Sequence, residues 1–269
     1  MLESPQSFVV REECQKAASQ NGFRRILGEA DGWAAFGSTT AHGTIHLAAG
    51  GPQGPWFLAL NHAGVVQELG LPQAAVSGPG DVRFAFDTLG ALYPVLHRVY
   101  ELGVSLPDAP LREFEQRIAG LPRTTEAERL VVQRIGQEVF RSRLMDYWQG
   151  CCPLTGISDP ALLRASHIIP WAECADDAER LDVHNGLLLS ALWDAAFDRA
   201  LVTFDDHGRP EFSSSLSEQA RAELRWHSPI LLTDGHRRRL ARHREYMRTE
   251  HGQLRVQHPN QPEFTTPCR

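Results

Sequence analysis

The chain has 269 residues, 42% of them hydrophobic and 22% charged, which excludes long intrinsic disorder and leaves room for one large or two small folded domains. Its net charge of −6 argues against a protein that coats nucleic acid without selectivity. No run approaches the roughly 18 apolar residues of a membrane span, and the start, MLESPQSFVVREEC, lacks a basic and then apolar leader pattern, so a cytoplasmic protein without a membrane partner is expected.

Residues 7–20 read as a helix, with Phe8, Val9, Cys14 and Ala17 or Ala18 roughly on one side. Apolar runs between glycines follow at Trp33–Phe36, Thr44–Ala48 and Pro55–Leu60, with another at 81–86, and read as antiparallel strands. Thr88 is placed to cap a helix that buries Leu89, Leu92, Leu96 and Val99. The stretch 103–124 is rich in Gly and Pro with a short helix inside it, and closes a small α+β domain over 1–110. Residues 111–150 are expected to be a linker and connecting helix. Thr125 and Glu128 have capping-box spacing, and Val131, Ile135, Val139, Phe140, Leu144 and Trp148 carry the helix to about Gln149. Its Arg129, Arg134, Arg141 and Arg143 form either a solvated face or a phosphate-contacting one.

The chemistry concentrates in 151–205. Leu162–Ile169 reads as a strand carrying Ser166 and His167, followed by a loop with Asp176, Asp177, Glu179 and Asp182. Asn185-Gly186 is a turn signal, Leu187–Leu189 a second strand, and Ser190 a cap for a helix from Ala191. On that helix Asp194 and Asp198 are four apart and share a face, while Trp193 and Phe197 make the core stripe. Like charges at this spacing destabilise a helix by a few tenths of a kcal/mol, so the pair is better accommodated around a cation. Two carboxylates suit a hard divalent ion such as Mg²⁺ or Mn²⁺. A strand–turn–strand–helix unit would bring His167 to the same place, and a histidine beside a carboxylate-held metal is an arrangement for hydrolysing a phosphodiester. Alone, a histidine in an apolar strand is more often a satisfied core residue. Arg164 lies two residues before Ser166 on the same strand face, within reach of a phosphate. His184 reads as a loop histidine, and Asp205–Gly208 as a hairpin turn.

The five cysteines, Cys14, Cys151, Cys152, Cys174 and Cys268, lack paired C-x-x-C knuckles. They indicate packing rather than a disulfide framework or a zinc ribbon. Charge is unevenly spread: 151–235 nets −8 and 236–269 nets +5. Residues 236–248 carry six arginines on a helix with Leu240 and Met247 inward. This is either a solvated helix or one that grips phosphate through Arg237, Arg238, Arg239 and Arg242.

The order Ser166-His167-Ile168-Ile169-Pro170-Trp171, Asn185-Gly186-Leu187-Leu188-Leu189, then Asp194 and Phe197-Asp198, preceded by Cys152-Pro153-Leu154-Thr155-Gly156, resembles the HNH endonuclease family over about residues 135–215. The resemblance implies a ββα-metal nuclease domain. It makes His167 the general base, Asn185 the residue that holds the loop and histidine in place, and Asp194 and Asp198 the metal ligands. Where the family often has His or Asp before the catalytic histidine, this chain has Ser166, a weaker ligand. Carboxylates shift the expected metal towards Mg²⁺ or Mn²⁺, with Ni²⁺ or Zn²⁺ less suited.

The expected fold class is therefore α+β: a small N-terminal α+β domain with an antiparallel sheet (1–110), a linker helix (111–150), and a C-terminal HNH nuclease domain with a basic C-terminal helix (151–269). The expected activity is metal-dependent hydrolysis of double-stranded DNA, in bacterial restriction or defence, with the N-terminal domain selecting the sequence or modified base and a homodimer making double-strand breaks. Two alternatives stand beside it: a non-cutting DNA-binding protein that keeps the HNH fold, and a metal-dependent hydrolase of a smaller phosphodiester.

Overall fold

The computed structural model describes residues 2–122, 124–251 and 254–256. The chain divides into two compact units, Met1–Ala109 and Pro110–Arg269.

The first unit is mixed α+β. Helix α1 (Phe8–Gln20) starts where the Ser7 hydroxyl accepts the Val10 amide. Strands β1 (Arg25–Ala30), β2 (Trp33–Gly37), β3 (Thr44–Ala49), β4 (Trp56–Leu60) and β5 (Val82–Phe86) form one antiparallel sheet in chain order. Helix α2 (Ala63–Leu69) separates β4 from β5, and α3 (Leu89–Ser105) follows under a Thr88 cap. The register aligns Phe36 with Ile45, Leu47 with Leu58 and Leu58 with Phe84, all buried. Alternation therefore gives one continuous apolar face, and α1 and α3 pack on the sheet. Strand β1 was not expected from the sequence. All six of its residues are exposed, so it has no hydrophobic period to read. The legible trace is Asp31-Gly32, whose φ angles of 51° and 80° make the tight hairpin turn to β2.

The second unit begins with α4 (Ala109–Ile118) and α5 (Glu126–Tyr147). Thr125 and Glu128 form the capping box. Both helices bury residues inside this unit. Val139, Phe140, Leu144 and Tyr147 are buried, and α5 lies against the strands that follow it. Strand β6 (Leu163–His167), helix α6 (Asp177–Leu181), strand β7 (Gly186–Ser190) and helix α7 (Ala191–Asp198) come next. β6 and β7 pair antiparallel and α7 packs on both, giving a ββα unit. Strands β8 (Val202–Phe204) and β9 (Pro210–Ser213) form a hairpin across the expected Asp205–Gly208 turn, extended by β10 (Leu254–Val256). Helix α8 (Glu218–Glu223) leads to the basic helix α9 (Asp234–His251), which packs on β8 with Leu240 and Met247 buried. Trp193 and Phe197 face the core as expected, against Phe204. Ser190 precedes α7 but makes no side-chain cap bond. Cys14, Cys152 and Cys174 are buried free thiols, whereas Cys151 is disulfide-bonded, which an odd and unpatterned set of cysteines did not announce.

Candidate active site

The hairpin and α5 together place His167. In the β6–β7 register His167 lies opposite Gly186. Gly186 is extended (φ −143°), so the turn suggested by Asn185-Gly186 is not what its glycine serves. A Cβ there would stand 2.5 Å from Phe140 Cζ and 2.7 Å from Leu144 Cδ1. Glycine lets α5 close on the hairpin, and Phe140 then stacks on the His167 ring at 3.8 Å and 19°. Trp171 meets the same ring edge-on at 5.5 Å. It fits against α5 because Gly136 has no Cβ, which would lie 2.6 Å from Trp171 Cη2. His167 Nε2 lies 2.9 Å from the Arg180 carbonyl oxygen. That oxygen can only accept, so Nε2 carries the proton and the lone pair is on Nδ1. Burial pushes the ring's pKa below the ordinary histidine value, with the Arg180 carbonyl opposing it.

Asn185 is fully buried and braces the loop between the strands. Its Oδ1 accepts the Ile169 amide at 2.9 Å, and its Nδ2 donates to the carbonyls of Ile169 and Glu179 at 3.3 Å. The loop from residue 168 to 185 is thus pinned at the residue two after His167 and again next to Arg180, whose carbonyl holds the histidine ring.

Alternation along β6 puts Ser166 on the strand face opposite to His167. The Ser166 hydroxyl donates to Asp194 Oδ1 at 2.6 Å. One turn on, burial raises the carboxyl pKa of Asp198, the Asp194 charge adds to the rise, and Arg199 works against it. Asp198 and His167 line one cavity of about 580 Å³, together with Trp171, Glu173 and the α9 residues Arg242, His243, Glu245 and Tyr246. Asp194 does not line it, and nor does Ser166, the buried hydroxyl it accepts from. Among the described residues no group of three His, Cys, Asp or Glu side chains is placed to hold a metal.

A family model described as HNH endonuclease matches residues 152–205. The second unit carries an HNH domain. No curated protein matches the chain.

The HNH match covers β6, β7 and α7 and ends before α9. The arginines singled out in the sequence divide into two groups. Arg164 is exposed, but its guanidinium bonds the nearby carbonyls of Ala161 and Leu163. Arg237 pairs with Asp234, and Arg239 with Asp182 at 2.6 Å. Arg238 and Arg242 are exposed, and Arg242 lines the HNH cavity. On α5, Arg141 bonds the carbonyls of Pro160 and Leu163, and Arg143 pairs with Glu113 and Asp146. His184 is no loose loop residue. It pairs with Asp182 at 3.0 Å and packs on Tyr147 and on the buried His236.

Sequence reasoning missed the aromatic setting of the HNH histidine and the part played by His243. The latter stacks on Phe197 at 4.0 Å, bonds Thr203 Oγ1 at 2.9 Å, and donates to the Phe197 carbonyl at 3.3 Å. This anchors α9 to the end of α7, beside Asp198. The available signal was the buried period of α9, in which His236, Leu240, His243 and Met247 fall at steps of three and four.

Proposed function

We propose that the chain is a divalent-metal-dependent endonuclease that hydrolyses phosphodiester bonds in double-stranded DNA. One observation carries this reading: His167 and Asp198 share a solvent-open cavity, and Asp194 is tied to the residue before His167. In this reading His167 Nδ1 takes the proton of the attacking water, and the Arg180 carbonyl steadies the charge that builds on the ring. Asn185 bonds the neighbouring Glu179 carbonyl and so steadies the loop that carries Arg180. Asp194 and Asp198 would hold the cation. Their oxygen-only set, with Ser166 Oγ beside it, fits Mg²⁺ or Mn²⁺, which keep several waters, better than Zn²⁺ or Ni²⁺ in a nitrogen- and sulfur-rich cage. Asp194 and Asp198 lie one turn apart on α7, and a cation between the two carboxylates would relieve their like-charge repulsion. Such an ion, when bound, supplies charge neutralisation at the phosphate and the departing oxygen. Arg238 and Arg242 are the phosphate contacts favoured on α9.

The setting proposed is the bacterial cytoplasm, in restriction or defence, with two protomers cooperating for a double-strand break. Selection of sequence or modified base is assigned to the first unit. Its own cavity of about 760 Å³, lined by Asp31, Trp33, His46 and Ser77–Pro79, supports that assignment. The Ser166–Asp194 bond favours one other reading, a non-cutting DNA-binding protein, because it occupies a carboxylate oxygen in a site with few ligands. The test is nicking of supercoiled plasmid with Mg²⁺, Mn²⁺ or Ni²⁺. Cleavage with Mg²⁺ or Mn²⁺ that disappears in a folded His167→Ala variant is expected. DNA binding without cleavage under every metal condition would select the other reading.

A further inference from the structure

Helix α9 lies outside the matched HNH segment, yet it builds one wall of the cavity. Three of its arginines are committed to the protein. Arg237 bonds Asp234 and the Asp206 carbonyl, Arg239 bonds Asp182, and Arg244 bonds Asp206 and the Phe204 carbonyl at 2.7 Å each. Arg238 and Arg242 have no hydrogen-bond or ion-pair partner among the described residues. Arg238, Arg242 and Tyr246 follow at four-residue steps, so they share one face of the helix. Burial of Leu240, His243 and Met247 fixes which face that is.

Arg242 and Tyr246 both line the cavity that holds His167 and Asp198. Tyr246 is 51% exposed, and its ring meets no other aromatic ring among the described residues. Phosphate needs only the cations. A solvent-open aromatic face beside a free guanidinium is the pairing that takes a backbone phosphate and the flat face of its base together. In a paired duplex both faces of each base are covered by its neighbours, and only an unpaired nucleotide offers one.

We infer that Tyr246 is a specificity-determining residue that stacks on a base next to the scissile phosphate while Arg242 holds a backbone phosphate, so that the site prefers DNA strands that are locally unpaired. This rests on the nuclease reading of the cavity and deepens it.

The test is binding of the full-length His167→Ala chain, in Mg²⁺, to two fluorescent DNAs of one sequence: a fully paired duplex and the same duplex with a short central bubble. Tighter binding to the bubble is expected. Tyr246→Ala weakens bubble binding roughly tenfold and duplex binding little, and Tyr246→Phe restores it because the ring and not the hydroxyl stacks. Arg242→Ala weakens both DNAs and lowers the salt dependence by about one charge. Equal binding of the two DNAs, or a Tyr246→Ala variant that keeps the preference, overturns the inference. Failure of the nuclease reading looks different: the native chain then cuts neither DNA, whatever the binding ratios.

Discussion

The His167 ring is held on three sides by chemically distinct neighbours: the Phe140 face, the Trp171 edge and the Arg180 carbonyl. Its lowered pKa keeps the neutral, proton-accepting form present at pH 7. The rate of DNA cleavage should therefore rise with pH on an acid limb centred below 6.5 and be level above it, as far as this group controls it; a limb centred well above 6.5 would contradict the assignment. Asn185 was legible in the sequence as a residue of consequence, through its place in the motif, but its means of acting was not. The Asn-Gly pair reads locally as a turn, whereas its side chain works on partners 6 and 16 residues away. Asn185→Ala should leave buried amide and carbonyl groups unpaired and cost about 2–3 kcal/mol in urea unfolding. It should also lower cleavage more than the lost stability accounts for, because the Glu179 carbonyl beside Arg180 loses its partner and the loop that holds the His167 ring loosens.

Among the elements, those with a strong period were readable. α3, α5, α7 and α9 declare themselves by spaced apolar residues, and β2 to β5 by apolar runs between glycines; in α1 the expected Phe8 and Val9 are exposed, and Val10, Cys14, Ala17 and Ala18 make the buried face. The six exposed residues of β1 and the short helices α2 and α6 carry no such signal, and they form because neighbours or local caps hold them. The close approach of α5 to the hairpin was also unreadable, since it depends on two glycines whose role is the absence of a side chain. Gly186→Ala should cost about 1–3 kcal/mol through overpacking against Phe140 and Leu144. Thermal melting measures that cost, and a plasmid assay should reveal a further loss of cleavage as Phe140 is pushed from the His167 ring. If the variant melts and cuts like the native chain, the helix does not fix the histidine as argued.

At the scale of the whole molecule, each unit owns its core, and the two divide between Ala109 and Pro110. The sequence of 111–150 does not settle its role, because a helix contributing to a core and a helix bridging two bodies share the same amphipathic pattern. Residues 110–269 expressed alone should still nick plasmid with Mg²⁺ or Mn²⁺ but lose discrimination between modified and unmodified DNA. Retained discrimination would move selection into the second unit. Acid should destabilise that unit. His236 and His243 have folded pKa values pushed down to about 3 and about 4, in each case first by burial. Between those values and 6.5 the unfolded chain binds protons that the folded one does not. Stability should therefore be level above about pH 6.5 and fall below it, by up to about 1.4 kcal/mol per pH unit for each ring. Urea unfolding at stepped pH measures the slope, and His243→Gln should reduce it.

His167 and Asp198 sit on a ββα frame, whereas one wall of their cavity is lent by a helix that begins about thirty residues after the family segment ends. On the proposed reading, chemistry and choice of strand would thereby be coded in separable stretches of one gene. Grafting a different terminal helix onto the same frame offers a route to nucleases with new tastes and an unaltered reaction.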